Sequence, residues 1–274
     1  MMRSLWTGAA GMKAQQTSVD TIANNLANVN TTGYKAQSTE FKSLLYQTLQ
    51  TETTTSNGDP KPTTAQVGLG ARVASLNSNF TQGAMLKSDN HMALCISGKG
   101  FYALRGADNE VYYSRAGDFG WALDNVEGER VLADPNGNRL LDTNLNPIVL
   151  PEGVGADNVT VSSEGIVAYR NEEGAYIETG QQIALFQFPN NKGLEKVSDS
   201  LLQETVASGA AINEVTTNLP IERSSIAQGY LEGSNVDVAT EMVNLIISQR
   251  AYELNSRAIT VSDTMLEQAN NLKR

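Results

Sequence analysis

The stretch ANNLANVNTTGYK, residues 23–35, holds four asparagines between positions 24 and 30. Asparagine is a poor helix former because its side chain competes with the backbone for hydrogen bonds. Apolar residues nevertheless recur here at the spacing of a helix face: Val19, Ile22, Leu26 and Val29. Extended toward the N-terminus, the same spacing predicts a helix over residues 4–30, and Gly33 is a natural stop signal after it.

The opposite end of the chain predicts a second long helix, residues 236–272, which Asn235 or Asp237 can cap. Two apolar stripes run along it. One stripe contains Val243, Ile247, Leu254, Ala258, Val261 and Met265, and the other contains Met242, Leu245, Tyr252, Ile259 and Leu266. A helix this apolar requires partners on several sides, and a two-helix hairpin has too little core to be stable alone. We therefore expect the two helices to pair antiparallel and to complete their burial in neighbouring copies, as an open helical filament.

The amino-acid composition changes twice in the segment between the helices. A short helix is predicted through Phe41, Leu44, Leu45 and Leu49. Residues 46–72 are predicted to be an extended arm or linker, because residues 48–64 contain seven threonines and two prolines. The chain then becomes rich in strand-forming residues.

Short runs of β-branched and aromatic residues, separated by turn residues, predict an antiparallel sandwich or open barrel. The clearest runs are Phe101–Leu104, Val111–Tyr113, Asn158–Ser162, Ile166–Tyr169 and Ile183–Phe188. Asn136-Gly137 is a hairpin signal of the two-residue type. Helical patterns do not alternate with these runs, which disfavours a doubly wound α/β fold.

The predicted fold class is mixed α and β, with long N- and C-terminal helices paired as a coiled-coil-like domain and a central all-β antiparallel domain. The predicted boundaries are an N-terminal helical segment over residues 1–45, the arm over 46–72, the β-rich domain over 73–220, and a C-terminal helical segment over 221–274 that packs with residues 1–45.

Residues suited to catalysis or metal binding are scarce. His91 is the only histidine, so a Ser-His-Asp or Cys-His site would have to use it, and residues 87–91 instead resemble a turn before a strand. One histidine and one cysteine, His91 and Cys95, are too few ligands for the usual zinc sites. Residues 134–142 resemble a calcium loop, but the glycine falls at the fourth position and a leucine at the twelfth, so a hairpin is the better interpretation. Cys95 lies in an apolar run and is predicted to be a buried, inert thiol. We predict no catalytic residue, cofactor or metal.

The formal net charge is −10, and residues 101–180 hold fourteen acids against five arginines, which argues against nucleic acid as a partner. Apolar runs of about 18 residues do not occur, so membrane insertion is not expected. The N-terminus is a poor signal peptide, since Thr7, Gly8 and Gly11 interrupt its apolar stretch. These features alone would indicate a cytoplasmic protein.

Several segments resemble the bacterial flagellar basal-body rod and hook family. They are MRSLWTGAAGM (2–12), SVDTIANNLANVNTTGYKA (18–36), TQGAMLKS (81–88), ISGKGFY (96–102), YSRAGDF (113–119) and LEGSNVDVATEMVNLIISQRAYELNSRAI (231–259). The resemblance spans essentially the whole chain in order. Within the family, the start of the chain, residues 249–256 and the modest length favour the distal rod, with a proximal rod or hook member as the alternative.

The resemblance implies a structural subunit of a helical tube that crosses the periplasm or cell wall in the flagellar basal body and transmits motor torque. It implies export through the flagellar type III apparatus without a cleaved signal peptide. The implied partners are further copies of the chain, proximal rod proteins and hook protein at the two ends, and ring bushing proteins. An enzyme acting on cell-wall sugars and a secreted binding module or adhesin are the alternatives from other classes.

The resemblance also suggests why the first helix carries asparagines. In a tube each terminal helix is surrounded by others, where Asn24, Asn25 and Asn28 can fix register through hydrogen bonds, as buried asparagine does in coiled coils. The alternative is that they face solvent or cap locally. The predicted self-assembly residues are Leu5, Met12, Val19, Ile22, Asn24, Asn25, Leu26, Asn28, Met242, Leu245, Ile246, Gln249, Arg250, Tyr252, Leu254 and Ile259. Residues 46–66 are expected to bridge adjacent subunits, with a disordered linker as the alternative.

Overall fold

A computed structural model describes residues 2–50, 65–123, 128–151, 154–171, 175–198, 200–217 and 222–272. The chain divides into two compact units. The helical unit contains Met1–Ala27, Gln37–Ser78 and Asp237–Arg274, and the β unit contains Asn28–Ala36 and Asn79–Val236.

Two long antiparallel helices dominate the helical unit, α1 (Met2–Ala27) and α2 (Val238–Asn271). The side chain of Asp237 accepts a hydrogen bond from the backbone N–H of Ala239 (3.3 Å) and so caps α2, one of the two caps that the sequence offers. Four strands accompany the helices: β1 (Gln37–Ser43), β2 (Tyr46–Gln50), β3 (Ala65–Gly68) and β4 (Ala71–Ser78). β1 pairs with β4, β2 pairs with β3, and α1 packs against β1 and β4. The prediction of a helix at each end of the chain is confirmed.

The short helix predicted through Phe41, Leu44, Leu45 and Leu49 is wrong. These residues lie in or beside β1 and β2, and Phe41, Leu45 and Leu49 are exposed, so they form no buried helical face. A short apolar run fits either structure locally, and here pairing with the distant strands β3 and β4 satisfies the backbone as strand. Residues 51–64, most of the predicted arm, lie outside the described residues.

The β unit is built from short strands. In chain order they are β5 (Met85–Lys87), β6 (Leu94–Ser97), β7 (Phe101–Arg105), β8 (Val111–Ser114), β9 (Gly120–Leu123), β10 (Arg130–Ala133), β11 (Arg139–Leu140), β12 (Val149–Leu150), β13 (Val159–Val161), β14 (Ile166–Arg170), β15 (Tyr176–Gln182), β16 (Leu185–Gln187), β17 (Glu195–Ser198), β18 (Leu201–Gln203), β19 (Ile212–Asn213), β20 (Ser225–Gln228) and β21 (Tyr230–Glu232). Short 3-10 helices span Ala156–Asn158 and Asn191–Gly193. All pairs among the described strands are antiparallel, which confirms the predicted fold class.

The largest sheet of the described residues runs in the order β12-β10-β11-β7-β8-β18-β17, and β16, β19 and β9 pair alongside. β7 lies in its middle and is buried on both faces, which explains its uninterrupted apolar run. Tyr102 and Leu104 face one core cluster, and Phe101 and Ala103 face the other. In the second cluster Phe101, Phe188 and Tyr113 meet edge to face, a geometry that favours ordered aromatic packing.

The predicted hairpin at Asn136-Gly137 is present, but its loop has three residues rather than two. The backbone N–H of Asp134 bonds the carbonyl of Asn138 (2.9 Å), and that of Gly137 bonds the carbonyl of Asp134 (2.8 Å). Gly137 has φ +84°, the left-handed conformation that closes a type I turn of this kind. Pro135, at the second position of that turn, favours the longer loop.

Candidate functional site

The two long helices meet along a seam of small and polar residues, which we call the polar seam. Ser4 Oγ lies 3.1 Å from Ser262 Oγ, and Ser18 Oγ lies 3.2 Å from Ser248 Oγ. Asn25 hydrogen-bonds the carboxyl of Glu241. Asn255 packs against Gly11. These layers recur every seven residues on both helices, at positions 4, 11, 18 and 25 of α1 and 262, 255, 248 and 241 of α2.

The helices approach each other closely at two glycines, Gly8 and Gly11. A Cβ added to Gly8 would lie 3.0 Å from Ile259 Cγ1, and one added to Gly11 would lie 2.8 Å from Asn255 Nδ2. A larger side chain at Gly8 or Gly11 would therefore displace Ile259 or Asn255 from its place in the seam. Small and hydroxyl side chains therefore occupy the recurring layers of the seam.

The first apolar stripe of α2 faces away from the seam. At about 100° per residue it lies roughly 100–140° around the helix from Ser248. Its large members are between 51% and 65% exposed: Val243, Ile247, Leu254, Val261 and Met265. We call these five residues the outer stripe. It runs for about 33 Å at ~1.5 Å per residue. Burying the exposed half of each side chain would contribute roughly 1 kcal/mol per residue.

The second stripe of α2 lies nearer the seam. Leu245, Ile259 and Leu266 are half-buried, while Met242 and Tyr252 are 54% and 43% exposed. A groove beside the seam is lined by Gln16, Val19, Gln249, Tyr252 and Glu253. Unpartnered apolar surface therefore continues from α2 onto α1.

The predicted self-assembly residues separate into three classes of burial. Asn24, Met242, Ile246, Gln249, Arg250, Tyr252 and Leu254 are exposed; Leu5, Met12, Val19, Leu26, Asn28, Leu245 and Ile259 are half-buried; Ile22 and Asn25 are buried. The prediction omitted Val243, Ile247, Val261 and Met265, which complete the outer stripe. Their apolar spacing was the signal that could have included them.

The asparagines of α1 and the turn after it occupy different environments. Asn25 is fully buried, its Nδ2 donates to the carbonyl of Gln37 (2.8 Å), and its Oδ1 accepts from the N–H of Gln37 (2.9 Å). It thus joins α1 to the start of β1 within one chain. Asn28 Oδ1 accepts from Thr31 Oγ1 (3.1 Å) in the turn that follows the helix. Asn24 is exposed.

The β unit contains a buried group of charges that the sequence did not reveal. Lys35 Nζ lies 2.6 Å from Glu232 Oε1, and Arg115 Nε lies 3.6 Å from Glu232 Oε2. All three side chains are at most 4% exposed. Burial lowers the pKa of Lys35 from its usual range, although the hydrogen bond to Glu232 opposes that shift. Lys35 and Glu232 both stand in the segments that suggested the flagellar family, but sequence alone does not pair residues so far apart.

The described residues offer little for catalysis. His91 is exposed, and Cys95 is buried, as predicted. Burial raises the pKa of the Cys95 thiol to about 11, which keeps it protonated near neutral pH. Groups of three or more His, Cys, Asp or Glu side chains placed to hold a metal ion do not occur among the described residues. The described helices also include none long and apolar enough to cross a membrane.

Three family models match parts of the chain. "Flagella basal body rod protein" matches residues 5–35, "Flagellar hook protein FlgE/F/G D1 domain" matches residues 95–169, and "Flagellar basal body rod FlgEFG protein C-terminal" matches residues 227–272. The first and third ranges hold most of the polar seam and the outer stripe, and the second holds the central strands of the large sheet.

The chain is also similar over its full length to curated proteins. It is 41% identical to flagellar basal-body rod protein FlgG of Borreliella burgdorferi, over 100% of both chains. The chain belongs to the FlgG family of flagellar basal-body rod proteins. The FlgG proteins of Agrobacterium fabrum and Caulobacter vibrioides are each 38% identical, over 96% and 99% of this chain and 97% and 100% of theirs. The family resemblance found in the sequence is confirmed.

Proposed function

We propose that this chain is a structural subunit of the distal flagellar rod, which assembles with further copies of itself into a helical tube and transmits motor torque to the hook. The full-length similarity to rod proteins named FlgG supports a structural role in the basal-body rod. The outer stripe supports assembly with other chains. The outer stripe is the observation that carries the proposal. It extends for about 33 Å along the helix at ~1.5 Å per residue, and an exposed apolar surface of that size is typical of a protein that binds another protein.

The same proposal sets the location and the neighbours of the chain. It belongs to the flagellar basal body, where it crosses the periplasm or cell wall. Proximal rod proteins adjoin one end of its assembly and hook protein the other, and the flagellar type III apparatus exports it without a cleaved signal peptide. Family membership supports these partners as a group.

The two alternatives from other classes have less support. A cell-wall enzyme would require a cluster of catalytic groups, whereas the family to which the chain belongs is a structural one. The function of a binding module or adhesin would not explain why both terminal helices carry apolar faces. A proximal rod member would share the helices and the β unit, and the full-length match to proteins named FlgG favours the distal position.

The outer stripe can be tested with the double variant Ile247→Ser, Leu254→Ser. Both side chains are at least 60% exposed, so the free energy of unfolding of the monomer should change by less than about 1 kcal/mol. Assembly should be lost, because the stripe would no longer bury apolar surface between copies. Electron microscopy of concentrated protein and motility of cells carrying the variant report the result.

Val206→Ser is the matched control, since Val206 is a fully exposed apolar residue of the β unit. It should leave assembly and motility intact. Filaments and swimming equal to wild type in the double variant would contradict the proposal. The exposed Asn24 provides a second test, because Asn24→Ala should impair assembly while leaving the unfolding of the β unit unchanged.

A further inference from the structure

The carboxylate of Glu232, at the end of β21, contacts three distant parts of the β unit. Its Oε1 accepts hydrogen bonds from Lys35 Nζ (2.6 Å) and from the backbone N–H of Gly83 (2.9 Å). Its Oε2 lies 3.6 Å from Arg115 Nε. The side chain is 1% exposed, so these contacts form out of reach of bulk water.

Both cations that share this carboxylate also hold backbone. Lys35 Nζ donates a second bond to the carbonyl of Thr81 (2.8 Å). Arg115 donates to the carbonyls of Gly100 (2.9 Å) and Gly98 (2.7 Å). The position of each backbone segment therefore depends on a cation whose charge Glu232 balances.

Asn235, three residues after Glu232, also connects distant backbone segments, but with an uncharged side chain. Its Oδ1 accepts from the N–H of Ala36 (2.7 Å), and its Nδ2 donates to the carbonyls of Asn79 (2.8 Å) and Thr81 (3.1 Å). The backbone N–H of Gly33 also donates to the carbonyl of Glu232 (2.8 Å). Side chains thus join three segments, residues 33–36, 79–83 and 232–235. We call these three segments and their contacts the junction.

We propose that the junction is a cooperative clamp in which the three segments are held together or released together, with the Glu232 carboxylate as the group that closes it. Removing the single carboxylate that two buried cations share is costly, because Lys35 and Arg115 would then remain as buried like charges. Burial already lowers the pKa of Lys35 despite the attraction of Glu232, so that lysine is poorly tolerated in place without its partner. Displacing Lys35 frees residues 33–36 and, through Thr81, residues 79–83.

The clamp has a particular place in the chain. Ala36, Asn79 and Val236 are end residues of the β unit, and each lies in or next to one of the three segments. The junction therefore gathers three of the points at which the chain enters or leaves the β unit. A clamp here fixes those points side by side, independently of the assembly proposed above.

Hydrogen exchange of the full chain, followed by mass spectrometry, tests the clamp with Glu232→Gln. In peptides covering residues 33–36 and 79–83, the exchange rate should rise at least about tenfold. The rise should be the same in both peptides, because one opening event exposes both segments. Peptides of β7 should keep wild-type protection. Glu222→Gln is the matched control, since Glu222 is a 92% exposed carboxylate whose loss should change none of these peptides.

Lys35→Met is the second variant and decides the matter if Glu232→Gln does not fold. It leaves Arg115 and Glu232 as a balanced pair but removes the bond to Thr81. The exchange rates of both segments should again rise by the same factor, and this factor should be smaller than in Glu232→Gln. The clamp is overturned if one segment loosens while the other stays protected, if neither changes, or if β7 loses protection to the same extent.

Discussion

Replacing Asn25 by alanine tests whether the asparagines of α1 act within the chain or between chains. Asn25 is fully buried, and its amide makes two hydrogen bonds to the backbone of Gln37 at 2.8 and 2.9 Å and a third to the carboxyl of Glu241. Asn25→Ala removes all three. The N–H and the carbonyl of Gln37 then lose the partner that Asn25 provides.

The magnitude follows from these contacts. Each lost hydrogen bond costs about 1 kcal/mol, and a buried backbone group left unpaired costs about 1–3 kcal/mol. Alanine is the better helix former and returns roughly 0.5 kcal/mol. We therefore expect the free energy of unfolding of the helical unit to fall by about 2–4 kcal/mol.

Urea unfolding of the purified chain, followed by far-ultraviolet circular dichroism, measures this change, because α1 and α2 are the long helices of the described residues. Asn24→Ala is the matched control, since Asn24 is the exposed neighbour. It should alter the free energy of unfolding by no more than about 0.5 kcal/mol. An Asn25→Ala chain that unfolds within about 0.5 kcal/mol of wild type would refute the assignment of Asn25 to the interior of the subunit.

Two further predictions concern the polar seam and the buried thiol. Gly11→Leu should destabilise the helical unit by about 1–3 kcal/mol in urea unfolding, since even a Cβ would lie 2.8 Å from Asn255 Nδ2. The same change at the exposed Ala9 should have little effect, and equal effects would contradict the close approach of the helices. Cys95 should resist iodoacetamide at about pH 8 until the chain is denatured, because a thiol of pKa about 11 is roughly one-thousandth thiolate there. Since folding raises the pKa of this thiol from its ordinary value of 9.0, its contribution to stability is complete below about pH 9 and falls as the pH rises to about 11. Rapid labelling of the native chain would contradict the burial of Cys95.

The helices and the central strands could be predicted because their patterns are long or strongly apolar. α2 carries apolar residues over 34 positions, and β7 is an uninterrupted apolar run. Residues 37–50 could not be predicted in this way. Their strands form because β3 and β4 return to pair with them, and that pairing leaves no mark on the local sequence.

The candidate surface could be predicted only in part, for a related reason. Apolar spacing located both stripes of α2 but could not show which one faces α1. Serine and glycine settle that question, since Ser248 and Ser262 meet Ser18 and Ser4 in the seam. Such residues look like solvent-facing positions in a sequence. The buried contacts of Glu232 with Lys35 and Arg115 were hidden for the same reason, because charged residues are expected on the surface.

The distribution of polarity in the helical unit differs from that of a self-sufficient helix pair. A pair selected to be stable alone buries its large apolar side chains in the seam and exposes its serines. Here serine, glycine and asparagine meet in the seam, and the outer stripe remains more than half exposed. Polar layers specify register while adding little stability, and the assembly that we propose would use the exposed outer stripe for contacts with other chains. Binding of another chain to the folded form then adds stability by mass action, which makes the helical unit most stable where the subunits are assembled.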